Sequence, residues 1–283
     1  MAEAAEGAAL RCGEAGVATA LDRIRGALWG LYIGDAMAMP SHWYYGGAAQ
    51  VARDYGGPIR GYVQPRKELA GSIMNKSSTG GGGRGSDSGE IIGAVINHGK
   101  KQFWTARGSY HYHCTLEKGE NTLEAQLVRV VCRSIAENGG AFSPDDLRRR
   151  YVAFMQTPGS HNDCYASTCH RMFFANLTRG LPAEQCPDND HHNVDTIDGL
   201  VMSIPVALAG WNADPREAGR EAAACTAVTR NSQVLPKYAA NLATLLTSVV
   251  EGRPLKEALM SGAGREMEAV IKSASSRQDP VVA

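Results

Sequence analysis

The stretch Thr122-Leu123-Glu124-Ala125-Gln126-Leu127-Val128-Arg129-Val130-Val131-Cys132-Arg133-Ser134-Ile135-Ala136-Glu137-Asn138-Gly139-Gly140 sets the pattern for most of the chain. Leu123, Leu127, Val130, Val131 and Ile135 recur at intervals of three and four, which puts them on one face of an α-helix. Asn138-Gly139-Gly140 is a stop signal, because glycine and asparagine tolerate the left-handed conformation that ends helices. Three residues later Ser143-Pro144-Asp145-Asp146 reads as a start: a capping side chain, a proline where no N–H is needed, and acids in the first turn. That helix is expected to run to about Gln156 and to end at Pro158.

The same punctuation continues downstream. A helix is expected over Cys164–Leu177, closed by Gly180. Asp195–Ala209 is the most apolar candidate and belongs at the centre of the core, with Pro205 imposing a kink or a break. Asp214-Pro215 opens a helix through Thr229, Tyr238–Val250 forms another ended by Gly252, and Pro254–Ser273 is the last. Upstream, Leu21, Ile24, Leu28, Leu31 and Tyr32 mark a helix that loosens near Gly34-Asp35 and stops by Pro40. Gly26, Gly30 and Gly34 share one face of it, a spacing that suggests close packing inside the core. Residues 46–120 are rich in turn signals and are the least regular part. Repeated helical periods with few alternating segments predict an all-α, multi-helix protein.

Composition narrows the function. The 283 residues hold 29 Lys+Arg against 29 Asp+Glu, a balance that gives no support to nucleic-acid or anionic-membrane binding. Seven cysteines are scattered without a CxxC pair, and they read as reduced thiols of a cytoplasmic protein. Residues 1–18 have neither the apolar run of a signal peptide nor the composition of a transit peptide, so a disordered lead-in is expected before a helical domain over 19–283. No apolar stretch reaches membrane-spanning length. The run Gly80–Ser86 lacks the Gly-Lys-Ser/Thr ending of a phosphate-binding loop, and a flexible or ligand-covering loop is expected there.

Several polar residues stand where apolar ones would be expected. Asp35, at the end of an apolar helix, needs a hydrogen-bond partner, a cation or solvent. Glu120, Asn121 and Thr122 precede the helix at Leu123, either as oxygen ligands for a hard cation or as a capping cluster. Asp195 and Asp198 share a helical face with Met202 beyond them, and Ser203 follows, which suggests a ligand face or simple stabilisation of a helix N-terminus.

The order of these segments resembles the ADP-ribosylglycohydrolase family. Gly30-Leu31-Tyr32-Ile33-Gly34-Asp35-Ala36-Met37 is similar to its first motif, Gly119–Thr122 to its Thr-Asp-Asp-Thr motif, Asn193–Pro205 to its central helix, and Ala222–Asn231 to the segment ending in Thr-His-Pro. The block Gly71–Thr122, with Thr79–Gly83 and His98–Lys101, looks more like the branch of J-type crystallins and selenoproteins. The resemblance implies an orthogonal helical bundle that binds magnesium and an ADP-ribose-like ligand or ADP-ribosylated substrate and cleaves a glycosidic bond. It places Asp35 and His42 at the catalytic positions, with His42 where the family has a glutamate, and Glu120, Asn121 and Thr122 at the metal. Asp195, Asp198, Met202 and Ser203 fall on the ligand face. The family's last motif, Gly-Asp-Thr-Asp, has no counterpart after Gly264, where the chain offers Glu266, Glu268 and Ser273–Ser276. An incomplete magnesium site, with weak or absent turnover, is the expectation, and a non-enzymatic crystallin-like or ADP-ribose-binding protein is the rival. Two further readings are zinc or copper bound through His111, His113 and Cys114, with His161, Cys169 and His170, and a thiol nucleophile at Cys164 or Cys169.

Overall fold

Helix α1 (Ala20–Ala38) begins with a reciprocal cap: Asp22 N donates to Thr19 Oγ1, and Thr19 N donates to Asp22 Oδ2. It ends in a 3-10 turn, Met39–Ser41, where Pro40 offers no N–H to continue the ladder. The computed structural model in which these elements are seen describes residues 18–77, 90–104 and 108–262, with Ser261 and Gly262 described in their backbone alone. The run Gly80–Ser86, the segment 1–17, and everything after Gly262, including the rest of the expected last helix, lie outside the described residues.

The segment expected to be irregular contains a helix, α2 (Gly47–Tyr55). The glycines that suggested turns are its punctuation. Gly46 N donates to Gln50 Oε1, and Gly56 closes the helix with a φ of 78°. The other described residues of this region form short 3-10 turns and two isolated bridges, Glu68 with Tyr110 and Ile92 with Ile96. Its side chains Leu69, Met74, Ile92, Ile96, Trp104 and Tyr112 are nevertheless buried in the main core.

Helix α3 (Leu123–Glu137) contributes the predicted stripe to that core, with Leu123, Leu127, Val130, Val131 and Ile135 all buried. Truncating Leu127 to alanine would leave a void costing about 2–5 kcal/mol. Helix α4 (Pro144–Gln156) starts at its predicted cap, where Ser143 Oγ accepts from Asp146 N. Helix α5 (Thr168–Thr178) starts four residues later than expected. The carbonyls of Asp163, Cys164 and Tyr165 accept from Asn97 Nδ2, Trp104 Nε1 and Asn97 Nδ2 respectively, so they are drawn to the irregular segment and not into a helical ladder.

The central apolar segment is divided at proline, as expected. Ile197–Ser203 winds as a 3-10 helix and α6 (Ile204–Ala209) follows, because Pro205 cannot donate to the carbonyl four residues back. Asp214 Oδ1 accepts from Arg216 N and Glu217 N to start α7 (Pro215–Ala227). Ser232 Oγ accepts from Leu235 N where α8 (Leu235–Val250) begins, three residues ahead of its predicted start, and α9 (Leu255–Gly262) follows. Helices α7 and α8 pack along one another and against α6, α3 packs on α4 and α6, and α1 crosses α8 and α3. The architecture is an all-helical orthogonal bundle; the described residues form no sheet. No helix among them is long and apolar enough to cross a membrane.

The glycine face of α1 departs from expectation. A Cβ added at Gly26, Gly30 or Gly34 would meet nothing within 4 Å, so these residues do not mediate close packing. Gly30 and Gly34 instead form bare backbone wall of a cavity.

Candidate active site

A cavity of about 850 Å³ opens between α1, the N-termini of α3 and α5, and the 193–204 segment. Asp35, on the last turn of α1, borders it. Its Oδ2 accepts from Thr122 N at 2.8 Å and Asn121 Nδ2 at 2.9 Å, and its Oδ1 accepts from Thr122 Oγ1 at 2.6 Å. Thr122 is the N-cap residue of α3 but makes no side-chain cap of its own. Asp35 therefore joins the end of α1 to the start of α3 through three hydrogen bonds.

His42 lies just beyond the turn after α1 and faces the same cavity. Its Nδ1 is 2.6 Å from His113 Nε2, and His113 Nδ1 is 2.9 and 3.0 Å from the two oxygens of Asp163. The two imidazole centroids are 4.8 Å apart with planes inclined by 19°. At that separation near-parallel rings meet edge to edge in one plane, the geometry of an N–H···N bond rather than a face-to-face stack. Leu123 N and Tyr165 N also donate to Asp163, which fixes its orientation. Burial alone would raise the Asp163 carboxyl, but His113 and these two amides hold it below the usual range.

The chain of bonds sets the tautomers. A carboxylate at Asp163 takes the proton on His113 Nδ1, so Nε2 of a neutral His113 is an acceptor. It takes the proton on His42 Nδ1, which leaves the lone pair of His42 Nε2 without a partner among the described residues. Burial and the neighbouring His113 push the His42 pKa down to about 3, so the ring is neutral at physiological pH. Next to it, Trp43 adopts a φ of 53° with its indole 43% exposed at the cavity wall. That left-handed backbone costs a bulky residue about 1–2 kcal/mol.

The opposite wall holds a second polar group. Glu124 Oε1 accepts from Ser167 Oγ and pairs with His170 Nε2 at 3.1 Å, with Arg230 Nη2 3.9 Å away. Arg230 Nη2 also donates to Asp198 Oδ2 at 2.7 Å, and Tyr151 Oη lies 2.8 Å from His170 Nδ1. Burial would raise Glu124, yet His170 and Arg230 outweigh it and keep the carboxyl below its ordinary value. Burial likewise opposes charge on His170, but Cys169 and Glu124 outweigh it and push its pKa up to about 10.

The residues singled out from the sequence are thus divided. Asp35, His42, Thr122 and Asp198 border the cavity. Glu120 does not; its Oε2 accepts from Glu117 N and Asn162 Nδ2 and closes a loop. Asn121 donates to Tyr32 O and Asp35. Asp195 is exposed near Asn189, in a run of bends ahead of the 3-10 turn Ile197–Ser203 that carries Asp198, where one long α-helix was expected. Met202 is buried in the core, and Ser203 Oγ donates to Leu200 O. His113, Asp163, Glu124, Ser167, His170 and Arg230 complete the site. His113 stood out in the sequence as a possible zinc or copper ligand, and His170 as that or as the partner of a thiol nucleophile.

As arranged, the expected ligands do not fit magnesium. Both Asp35 oxygens accept from protein donors, Thr122 Oγ1 donates its proton to one of them, and Glu120 faces elsewhere. Among the described residues no group of three or more His, Cys, Asp and Glu side chains is placed to hold a metal ion. The proposed zinc ligands are engaged otherwise: His111 with Pro40 O and His113 N, and Cys114 Sγ with Cys164 Sγ at 3.8 Å. Burial raises the Cys164 thiol well above its ordinary pKa, which does not suit a nucleophile.

Fold and site together define an all-α protein in which a buried carboxylate–histidine–histidine chain opens on a ligand-sized cavity. The family model for ADP-ribosylglycohydrolase matches residues 17–281, and the chain belongs to that family. No curated protein and no solved structure gives a significant match.

Proposed function

We propose that the cavity binds an ADP-ribosyl group and that the chain hydrolyses its glycosidic bond slowly, with His42 as the base. The observation behind this reading is His42 at the cavity wall, its Nδ1 engaged by His113, which Asp163 holds in turn, and its Nε2 without a partner among the described residues. In the reaction, His42 Nε2 takes a proton from water as its oxygen attacks the anomeric carbon. The glycosidic bond breaks toward the leaving group, which keeps the electron pair and receives the proton back. Transfer of the Nδ1 proton of His42 to His113 would place the transient charge beside Asp163. A base held near pKa 3 is weak at neutral pH, so turnover should be slow. Trp43 offers a flat ring at the cavity wall against which a nucleobase can stack.

A second reading has its own support. Asp35 and Glu120 are occupied by the chain's own hydrogen bonds, as befits a binding or crystallin-like structural protein that has kept the fold. The likeness of Gly71–Thr122 to J-type members favours the same reading. Calorimetric titration with ADP-ribose, with and without magnesium, followed by assay of ADP-ribose release from a modified peptide, separates these outcomes. Binding with slow release that His42→Gln abolishes supports the enzyme, and binding without release supports the second reading. Absence of binding by folded protein contradicts a ligand-binding role. Fast release that depends on magnesium overturns the metal-independent route.

A further inference from the structure

Two sulfurs meet beside the His113–Asp163 pair. Cys114 Sγ lies 3.8 Å from Cys164 Sγ, and each cysteine directly follows one member of that pair in the chain. The segments that carry them are clamped together: Thr115 Oγ1 donates to Asn162 O at 2.7 Å, and Asn162 Nδ2 donates to Thr115 O at 2.6 Å. Cys164 is fully buried, whereas Cys114 is partly exposed. The Cys164 thiol has one proton and two acceptors near it, Tyr112 O at 3.1 Å and Cys114 Sγ. A thiolate at Cys114 draws that proton, and this bond lowers the Cys114 thiol against the opposing effect of burial. A buried free cysteine commonly serves as a small apolar group. That accounts for Cys164, but not for a second, partly exposed sulfur set against it.

We infer that Cys114 and Cys164 are a redox modification site, which closes to a disulfide when the folded chain meets a hydroperoxide, reopens with a thiol reductant, and shifts His113 as it closes. Cys114 is the point of entry, being the less buried of the two. Its thiolate attacks one peroxide oxygen and the O–O bond breaks. The departing oxygen takes up a proton and leaves as water or an alcohol, and Cys114 becomes a sulfenic acid. The Cys164 sulfur then attacks the Cys114 sulfur: the S–S bond forms, the S–O bond breaks, and hydroxide departs with the Cys164 proton as water. Two thiols are thereby oxidised, and one peroxide is reduced by two electrons. A buried thiol with a raised pKa is a poor nucleophile toward dissolved reagents, but here its target is already in contact. The bond draws the sulfurs from 3.8 Å to about 2.05 Å. Trp104 Nε1 holds the Cys164 carbonyl at 2.8 Å, so closure falls on Cys114, the neighbour of His113. Oxidation also removes the thiol proton from Tyr112 O.

The inference does not depend on what the cavity binds. Folded full-length protein is treated with hydrogen peroxide at neutral pH, its remaining thiols are alkylated, and its peptides are mapped by mass spectrometry. Wild type should lose two free thiols per chain and yield a Cys114–Cys164 cross-link that dithiothreitol removes. In Cys164→Ala, which cannot resolve the intermediate, dimedone should trap Cys114 as the sulfenic acid. In Cys114→Ala, Cys164 should stay unmodified. The ring-nitrogen NMR signals of His42 and His113 should move when wild type is oxidised and stay in place in Cys114→Ala. Full alkylation of both thiols after peroxide treatment, a cross-link that forms only in urea, or pairing of Cys114 with another cysteine overturns the inference. A cross-link that leaves the histidine signals unmoved overturns its connection to the site. Should Cys164→Ala not fold, Cys114→Ala decides: an unmodified Cys164 supports the inference, and a Cys164 that peroxide still oxidises overturns it.

Discussion

His42 Nδ1 and His113 Nε2 stand 2.6 Å apart in nearly coplanar rings, so the Nδ1 proton of His42 is directed at His113 along a line ending at Asp163. Asp163 must accept from His113, Leu123 N and Tyr165 N together. An amide at this position loses one acceptor and presents a donor to groups that are themselves donors. Asp163→Asn should cost about 2–4 kcal/mol of stability, measured by urea unfolding, because it breaks a buried charged network. It should also reduce any ADP-ribose release at least as much as His42→Gln does. Wild-type stability in this variant would mean that the chain of bonds is not organised by Asp163.

Acid should destabilise the fold early. Burial holds the pKa of His42 at about 3 and that of His111 at about 4, with His113 adding to the effect in both. The unfolded chain takes up protons at both residues below about pH 6.5, whereas the folded state resists doing so. Their contribution is complete above pH 6.5 and is lost as pH falls toward 4 and then 3. Each proton contributes a slope of up to about 1.4 kcal/mol per pH unit. Urea unfolding between pH 7 and 4.5 should show this decline, and His42→Gln should reduce its slope. A flat profile would contradict burial of these rings as neutral groups.

Asp35 of α1 accepts from the backbone N–H and the hydroxyl of Thr122, the N-cap residue of α3, and so holds the start of that helix. Asp35→Ala removes three hydrogen bonds and should lower stability by about 2–3 kcal/mol in magnesium-free buffer. If Asp35 served only to hold a cation, the same substitution would leave the metal-free protein's thermal unfolding unchanged.

Asp146 ties α3 to α4 by accepting from Ser134, Asn138, Arg149 and Arg150. The hydrogen bond from Arg150, followed by that from Ser134, lowers its pKa to about 2. Its contribution should be present above the unfolded value near 4 and disappear as pH falls toward 2. Asp146→Ala should cost about 2–4 kcal/mol at pH 7, measured by urea unfolding. At pH 2 the difference from wild type should largely vanish.

Helix after helix could be read from local pattern because caps and apolar stripes are local facts. Ser143-Pro144 and Asp214-Pro215 marked true starts, and Pro205 marked a true break. Helix α2 escaped notice because glycines flank its nine residues, and the same glycines that cap a short helix also mark turns. The site was only partly legible. Asp35, His42 and Asp198 were visible beside recognisable segments, whereas the bond between His113 and Asp163 spans 50 residues and leaves no spacing to detect. Glu124 looked like an ordinary first-turn acid, since its link to Arg230 appears only when distant segments meet. Asp195 lies in the bends before the 3-10 turn that begins at Ile197, so the helical spacing that paired it with Asp198 in the sequence does not reach it.

The bare backbone of Gly30 and Gly34 sets stability and capacity against each other. Alanine at either position has room for its methyl group and would strengthen α1 by about 0.5–1 kcal/mol. The same methyl would project into the volume a ligand must occupy. A selection imposed only for heat resistance should therefore fill these positions first, and the variants that withstand heat best would be those with the least room for a guest.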